Sequence, residues 1–355
     1  MKIGIIFPKD SESIFDRTSL RTFGGATVQM FAIANELIKG KENDVFCLVP
    51  KIDNKESLGG IGMRIVEFSG LRKTILSTII LFHRIMKSEK PDILIQHGLT
   101  FYSCLLSLYC RALSIKFIFM FAHDIEVGGR YQRSQARCLF FSLLLKTATL
   151  LVTQNDFQNN TLLKKGYRNI LFKMGFPMRQ IIGKEREGIL WIGRCSKQKQ
   201  PELFIKIAQK NPDKKFTMVC PKIDENYFNY IKSLAEVVHN LVFVDFVDFE
   251  NTWKYFEETK VFVNTSISEG FPQTFVQAVT CGVPIISLNV NPDDFILKYS
   301  CGYACGGDVT LLENNVSRLF HNDNLYNQIS ENTLVYSRKY HDIVQNVADM
   351  INAIR

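Results

Sequence analysis

The sequence lacks any apolar run long enough to cross a bilayer. Its longest stretches, near Ile115–Ala122 and Cys138–Leu145, fall short of the ~18–20 residues a membrane helix needs. No secretory leader is expected either: Met1–Phe7 reads as a short strand followed by polar residues, with no small-residue cleavage site. The nine cysteines, at positions 47, 104, 110, 138, 195, 220, 281, 301 and 305, show no paired spacing. Such a scattered, odd set predicts reduced structural thiols in a cytosolic protein. Cys301 and Cys305 are close, but no matching Cys/His pair follows to complete a zinc site. No Asp-x-Asp pair ends a strand and no His/carboxylate cluster has ligand spacing, so metal chemistry finds no support. A Gly-x-Ser-x-Gly nucleophile elbow and a Gly-Lys-Ser/Thr phosphate loop are also absent.

What remains is an ordinary globular composition, 46% hydrophobic and 22% charged, in a chain of 355 residues. That length exceeds one comfortable core and suits two α/β domains. The net charge of +8 is uneven: residues 1–180 carry 25 basic against 14 acidic residues, and residues 181–355 carry 18 against 21. A basic first half can face nucleic acid, an anionic membrane or a phosphorylated substrate, or be plain solvated charge.

Strands and helices alternate throughout. Strands are expected at Ile3–Phe7, Val45–Val49, Arg64–Phe68, Ile93–His97, Phe117–Ala122 and Leu150–Thr153. Helices are expected at Thr27–Lys39, Leu71–Lys87, 101–113 and 133–147. Residues 176–188 are polar with Pro and Gly, and read as a link. The pattern then restarts with strands at Ile189–Ile192, Phe216–Cys220 and Leu241–Val244, separated by helices at Pro201–Gln209 and Tyr227–Val237. Helices at Thr310–His321, Asn324–Lys339 and His341–Arg355 close the chain. The organisation expected is an α/β chain of two Rossmann-like domains facing across a cleft, 1–178 and 179–340, with 341–355 packing back toward the first.

Ser266–Ser287 is the most informative segment. Strand Lys260–Asn264 runs into a polar loop with Glu269 and Gly270; Pro272 opens a helix ending at Gly282, and strand Val283–Leu288 follows. In such a βαβ unit a carboxylate at the mouth of a helix N-terminus reads as a ligand seat, with helix capping as the alternative. Glu269 and Gln277 are roughly two helical turns apart, so both are expected to look toward one ligand. Gly193-Arg194-Cys-Ser-Lys-Gln-Lys199 follows the first strand of the second domain. There Arg194 can fork two phosphate oxygens and Lys199 add a point charge, which suits a departing diphosphate. Gly24-Gly25 precedes a helix and reads equally as a phosphate seat or a plain loop. His123-Asp124 ends a strand, where His123 suits substrate contact and Asp124 a cap; His97 can point to the same place.

At these motifs the chain resembles the retaining glycosyltransferases of family 4, which have the GT-B fold. Glu269-Gly-Phe-Pro, Gln277-Ala and Gly282-Val-Pro-Ile are similar to the family's Glu-Gly-Phe-Pro/Gly, second Glu, Ala and Gly-x-Pro-Val/Ile. Gly193-Arg194 with Lys199 is similar to its Gly-Arg-x-Ser-x-x-Lys, and Gly24-Gly25 and His123-Asp124 to its first-domain motifs. The resemblance implies a nucleotide-diphosphate sugar donor, with no cofactor and no metal. Glu269 would bind sugar hydroxyls, Gln277 the ribose, and Arg194 and Lys199 the diphosphate. Amides at Gly25 and after Gly270 would assist, Gly24, Phe271, Pro272, Gln273 and Thr274 would line the donor, and His123 would contact the sugar near the reacting carbon. Three departures stand out: Gln277 in place of Glu, and Cys220-Pro221 and Asp245-Phe246 where the family has glycines lining the nucleotide. Asn289-Val-Asn-Pro-Asp-Asp294 resembles a branch of bacterial surface-polysaccharide transferases, of the capsule and lipopolysaccharide kind. The acceptor implied is a saccharide, often lipid-linked, and nucleic acid is no partner. Arg72, Lys73, Arg84, Lys87, Arg130, Arg133 and Arg137 would then lie against the inner membrane face, unless they are only the basic rims of core helices. A sugar-nucleotide epimerase of the same fold and a non-catalytic sugar-nucleotide binder are the alternatives.

Overall fold

Parallel strands buried on both faces read as near-continuous apolar runs, and here they become two all-parallel sheets. The computed structural model describes residues 1–15, 24–40, 42–50, 52, 62–68, 75–100, 102–127, 135–179 and 186–355. Arg72, Lys73, Arg130 and Arg133 lie outside them. The chain divides into one unit made of Met1–Met174 and Ile343–Arg355, and another made of Gly175–Asp342.

In the first unit the strands are β1 (Lys2–Ile6), β2 (Asp44–Val49), β3 (Arg64–Glu67), β4 (Ile93–His97), β5 (Lys116–Met120), β6 (Leu150–Thr153) and β7 (Asn169–Leu171). Their order is β3-β2-β1-β4-β5-β6-β7. The helices are α1 (Glu12–Phe15), α2 (Gly25–Lys39), α3 (Ile75–Glu89), α4 (Ser103–Ala112), α5 (Asp124–Val127), α6 (Gln135–Thr147), α7 (Asp156–Lys164) and, from the far end of the chain, α15 (Ile343–Asn352). Alternation along β2 decides which helices cover which face. Val45, Cys47 and Val49 pack with Met30 and Ile33 of α2 and with Ile343, Val347 and Met350 of α15. Phe46 and Leu48 pack with Phe82 of α3, Cys104 of α4 and Phe141 of α6. Two hydrogen bonds tie down the terminal segment: Lys116 Nζ donates to the Ile354 carbonyl, and Asn346 Nδ2 to the Lys173 carbonyl, each at 2.6 Å.

The second unit holds β8 (Ile189–Ile192), β9 (Phe216–Val219), β10 (Leu241–Val244), β11 (Val261–Asn264), β12 (Ile285–Ser287) and β13 (Gly302–Ala304), in the order β10-β9-β8-β11-β12-β13. Its helices are α8 (Pro201–Lys210), α9 (Glu225–Glu236), α10 (Phe249–Glu258), α11 (Gln273–Thr280), α12 (Phe295–Lys298), α13 (Val309–Phe320) and α14 (Asp323–Tyr340). Both tryptophans, Trp191 and Trp253, belong to this unit. Helix α11 ends as a glycine stop should: Gly282 takes a φ of 68°, and Val283 N donates to the Ala278 carbonyl at 2.8 Å. Among the described residues no helix is long and apolar enough to cross a membrane.

The strand orders fix where ligands belong. In each sheet the winding reverses once, beside β1 and β4 in the first unit and beside β8 and β11 in the second. Loops leaving the carboxyl ends of such a pair diverge and open a crevice.

Candidate functional site

The β8 and β11 loops carry the sequence-predicted cations and carboxylate, and hydrogen bonds lace them together. The Thr265 hydroxyl lies 2.7 Å from the Lys199 carbonyl and accepts from Trp191 Nε1 at 2.9 Å. Ile267 N donates to the Gln198 carbonyl at 2.9 Å, and Gln198 Nε2 to the Ser268 carbonyl at 2.7 Å. This frame brings Lys199 Nζ to 2.5 Å from Glu269 Oε2. Asn264 Nδ2 holds the other carboxylate oxygen at 3.0 Å. The side chains of Lys199 and Glu269 are 18% and 14% exposed, so their attraction is only partly screened by water.

Glu269 is therefore not a helix cap. Helix α11 begins at Gln273, and its N-cap, Pro272, offers no side-chain hydrogen bond. Free N–H groups at a helix start favour an anion. Gly270 is exposed, with open space where a Cβ would stand. Phe271 is fixed by stacking on Phe295, 5.3 Å between ring centroids; Pro272 is buried and Thr274 half-buried. Arg194 is exposed and makes no ion pair among the described residues.

Gln277 goes elsewhere. It is 4% exposed, and its Nε2 donates to Thr252 Oγ1 of α10 at 2.9 Å. The expectation that Gln277 and Glu269 share a helical face needs correction, because Glu269 precedes the helix and helical spacing does not relate the two. Gly24 departs from a phosphate seat as well. Its N–H donates to Asp10 Oδ2 at 2.6 Å while Thr27 Oγ1 donates to Asp10 Oδ1 at 2.7 Å, so a carboxylate already occupies this start of α2.

In the first unit His123 is exposed at the end of the β5 loop, and Asp124 accepts from Asn155 Nδ2 at 2.8 Å and Gln158 Nε2 at 3.0 Å. Beneath them Glu126 is 3% exposed; it accepts from Leu99 N at 3.0 Å and Ala122 N at 2.8 Å and is also bonded to the His123 backbone. Burial raises its carboxyl above the ordinary range, and the backbone donors oppose that. Sequence reading missed Glu126, although a Glu three residues after a helix-capping position is half of a capping box.

His97 is buried, with Nε2 2.5 Å from Gln154 Nε2, which makes Nε2 the acceptor and leaves the proton on Nδ1. Burial first, and the charge of His123 second, pull its pKa from 6.5 to about 4. The unfolded chain thus takes up a proton near 6.5 that the folded chain refuses until about 4. The stability of the first unit is expected to hold above pH 6.5, to fall by about 3 kcal/mol as pH drops from 6.5 to 4, and to level off below. Urea midpoints read by circular dichroism across that range, with His97→Gln as the flattened comparison, check this. A wild-type profile that stays level would contradict it.

Residues 177–334 match the family Glycosyl transferases group 1. The match covers the β8 and β11 loops and all of α11. A Haemophilus influenzae protein named "Uncharacterized glycosyltransferase" is 24% identical over 226 residues, spanning 60% of this chain and 62% of that protein's length. Sucrose-phosphate synthase from Thermosynechococcus elongatus superposes with a TM-score of 0.76 at 14% identity, over 99% of this chain and 98% of its own. HepE from Anabaena, in complex with UDP and glucose, gives 0.75 at 14% identity, over 100% and 99%. A UDP-GlcNAc 2-epimerase from Neisseria meningitidis gives a lower 0.67 at the same identity, over 100% and 99%. The fold is that of GT-B glycosyltransferases, two parallel-sheet Rossmann-like domains. The group 1 match supports glycosyl transfer.

Beyond Glu126, sequence reading also missed Asn264 and Thr265. They stand at the end of an apolar strand, and their only signal is two polar residues where the run stops.

Proposed function

We propose that the chain is a retaining, metal-independent glycosyltransferase that moves a sugar from a nucleotide-diphosphate donor to a saccharide acceptor, lipid-linked, in surface polysaccharide synthesis. The Lys199–Glu269 pair, set beside the uncapped start of α11 at the winding reversal of β8 and β11, carries this reading. A lysine and a helix start neutralise phosphate oxygens, and the exposed Arg194 adds a guanidinium that can fork two of them. When the bond from sugar to diphosphate breaks, negative charge grows on the leaving phosphate, and fixed cations lower that barrier. Glu269, held by Asn264, accepts hydrogen bonds from sugar hydroxyls. The departing phosphate takes the acceptor's proton, and His123 contacts the sugar near the reacting carbon. Gln277 reaches a ribose only if it leaves Thr252.

HepE's UDP and glucose make a uridine donor the first to try. A thermal-shift screen of UDP-, GDP- and ADP-sugars finds the donor, since a ligand of the folded state raises stability. Nuclear magnetic resonance of the product then reads the anomeric configuration. An inverted product would overturn the retaining assignment, and an epimerised donor without transfer would favour the epimerase reading. Exposed Leu139 and Phe140 on α6, and exposed Arg84 and Lys87 on α3, suit peripheral contact with an anionic membrane. Vesicle co-sedimentation at low and high salt tests that contact.

A further inference from the structure

The winding reversal of the first sheet has its own crevice, and it differs in chemistry from the one just described. Among the described residues a cavity of about 460 Å³ opens at the carboxyl ends of β1, β2 and β4, between α3 and α4. That volume lies within the ~300–1,000 Å³ of small-molecule sites. Its walls are mainly apolar, with Ile6, Leu48, Phe82, Leu106 and Tyr109 among them and Ile79, 40% exposed, also lining it.

One wall residue breaks the pattern. Strand register places Val66, Leu48, Ile6, Gln96, Phe119 and Leu151 in one row across six strands, all on the same face. Gln96 is the polar member of that row, and it is 3% exposed. Its Nε2 donates to Ser103 Oγ at 2.9 Å and lies 3.4 Å from the Gly98 carbonyl, which fixes the orientation of the amide. Among the described residues its Oε1 has no partner. A buried acceptor left unmade is costly in an otherwise apolar row, and a ligand donor would remove that cost. His97, the next residue and another wall member, also keeps an unpartnered Nδ1.

We propose that this cavity seats the apolar segment of the acceptor, an alkyl or isoprenyl group joined to a hydroxyl that donates to Gln96 Oε1. The proposal rests on the glycosyltransferase reading only in naming the ligand an acceptor. A nucleotide diphosphate finds little charge to meet there, since Lys9 is the one Lys or Arg among the described lining residues. His97 is close enough to His123 to feel its charge, so the cavity adjoins the proposed sugar-contacting end of the sheet.

The test uses the full chain and straight-chain alcohols from ethanol to octan-1-ol, below micelle-forming concentrations and with no nucleotide sugar present. Calorimetry is expected to show affinity rising about fourfold per methylene until the cavity is full. Each alcohol should bind about fivefold tighter than the methyl ether with the same number of carbons, which cannot donate. Ile79→Trp, made at a half-exposed wall position, should flatten the chain-length series. Gln96→Leu should keep that series and erase the difference between alcohol and ether. Flat affinity in the wild type, an unchanged slope in Ile79→Trp, or equal binding of alcohol and ether would each overturn the proposal. If the alcohols bind as expected but no nucleotide sugar supports transfer, the enzyme reading fails and the cavity stands. If transfer to an alkyl-bearing acceptor proceeds and Ile79→Trp leaves its KM unchanged, the acceptor assignment of the cavity falls alone.

Discussion

Lys199→Met and Glu269→Gln are each expected to lower kcat/KM for sugar transfer by about 10²–10³-fold, the usual loss when one preorganised charge-stabilising group is removed. Each change also strands its partner. Without Lys199, Glu269 keeps a half-buried charge held by Asn264 alone; without the carboxylate, Lys199 loses its 2.5 Å contact and its fixed direction. The two losses should therefore overlap, and the double variant should fall by much less than their product. Transfer kinetics on the three variants, with donor affinity measured separately, give the coupling. Lys199→Met should act mainly on kcat, because a leaving diphosphate gains charge in the transition state. Glu269→Gln should raise the donor Kd as well. Wild-type transfer in either variant would place the site elsewhere.

Gly302→Ala is expected to destabilise the second unit by about 3 kcal/mol or more, at the severe end of overpacking. Gly302 has a φ of 150°, and a Cβ built there would lie 1.8 Å from the carbonyl oxygen of Ile285, its partner across the β12–β13 pair. That oxygen belongs to the backbone of the neighbouring strand and cannot swing aside, so β13 would have to leave the sheet. Because both tryptophans sit in the second unit, tryptophan fluorescence during urea unfolding follows this unit selectively. An unshifted midpoint in the variant would show that the strand pair tolerates the methyl group.

Much of the architecture is legible in the sequence, and the reason is burial. Strands such as Ile93–His97 and Val261–Asn264 are covered on both faces, so the stretches 93–95 and 261–263 read as apolar runs before a polar end. Where that condition weakens, the reading fails. β7 and β13 are three residues each, and Gly302-Tyr-Ala304 offers no β-branched side chain. Helix α10, Phe249–Glu258, is missing from the sequence reading, although Asp248, which accepts from Asn251 N at 2.9 Å, is a capping residue before the spaced aromatics Phe249, Trp253 and Phe256. The site divides in the same way. Lys199, Arg194 and Glu269 could be picked out as charges stranded after buried strands. The role of Asp10 could not, because the amide it holds belongs to Gly24, 14 residues away, and that of Glu126 was signalled only for its local contacts, since Leu99 N lies 27 residues away. Gln277 shows the limit of spacing arguments, since a count in helical turns has meaning only once the helix has begun.

Helix α15 has a bearing on how the protein is made. The first unit needs Ile343, Val347, Met350 and Ile354 for one face of its sheet, and these follow the whole of Gly175–Asp342 in the chain. On the ribosome the unit that begins first is thus the last to be completed, with Met30, Ile33 and Val45 uncovered on that side while the other unit is synthesised. A nascent chain halted near residue 342 would be expected to hold one finished domain and one sticky, half-covered sheet. It would be that sheet, and not the proposed donor-binding unit, that calls for a chaperone.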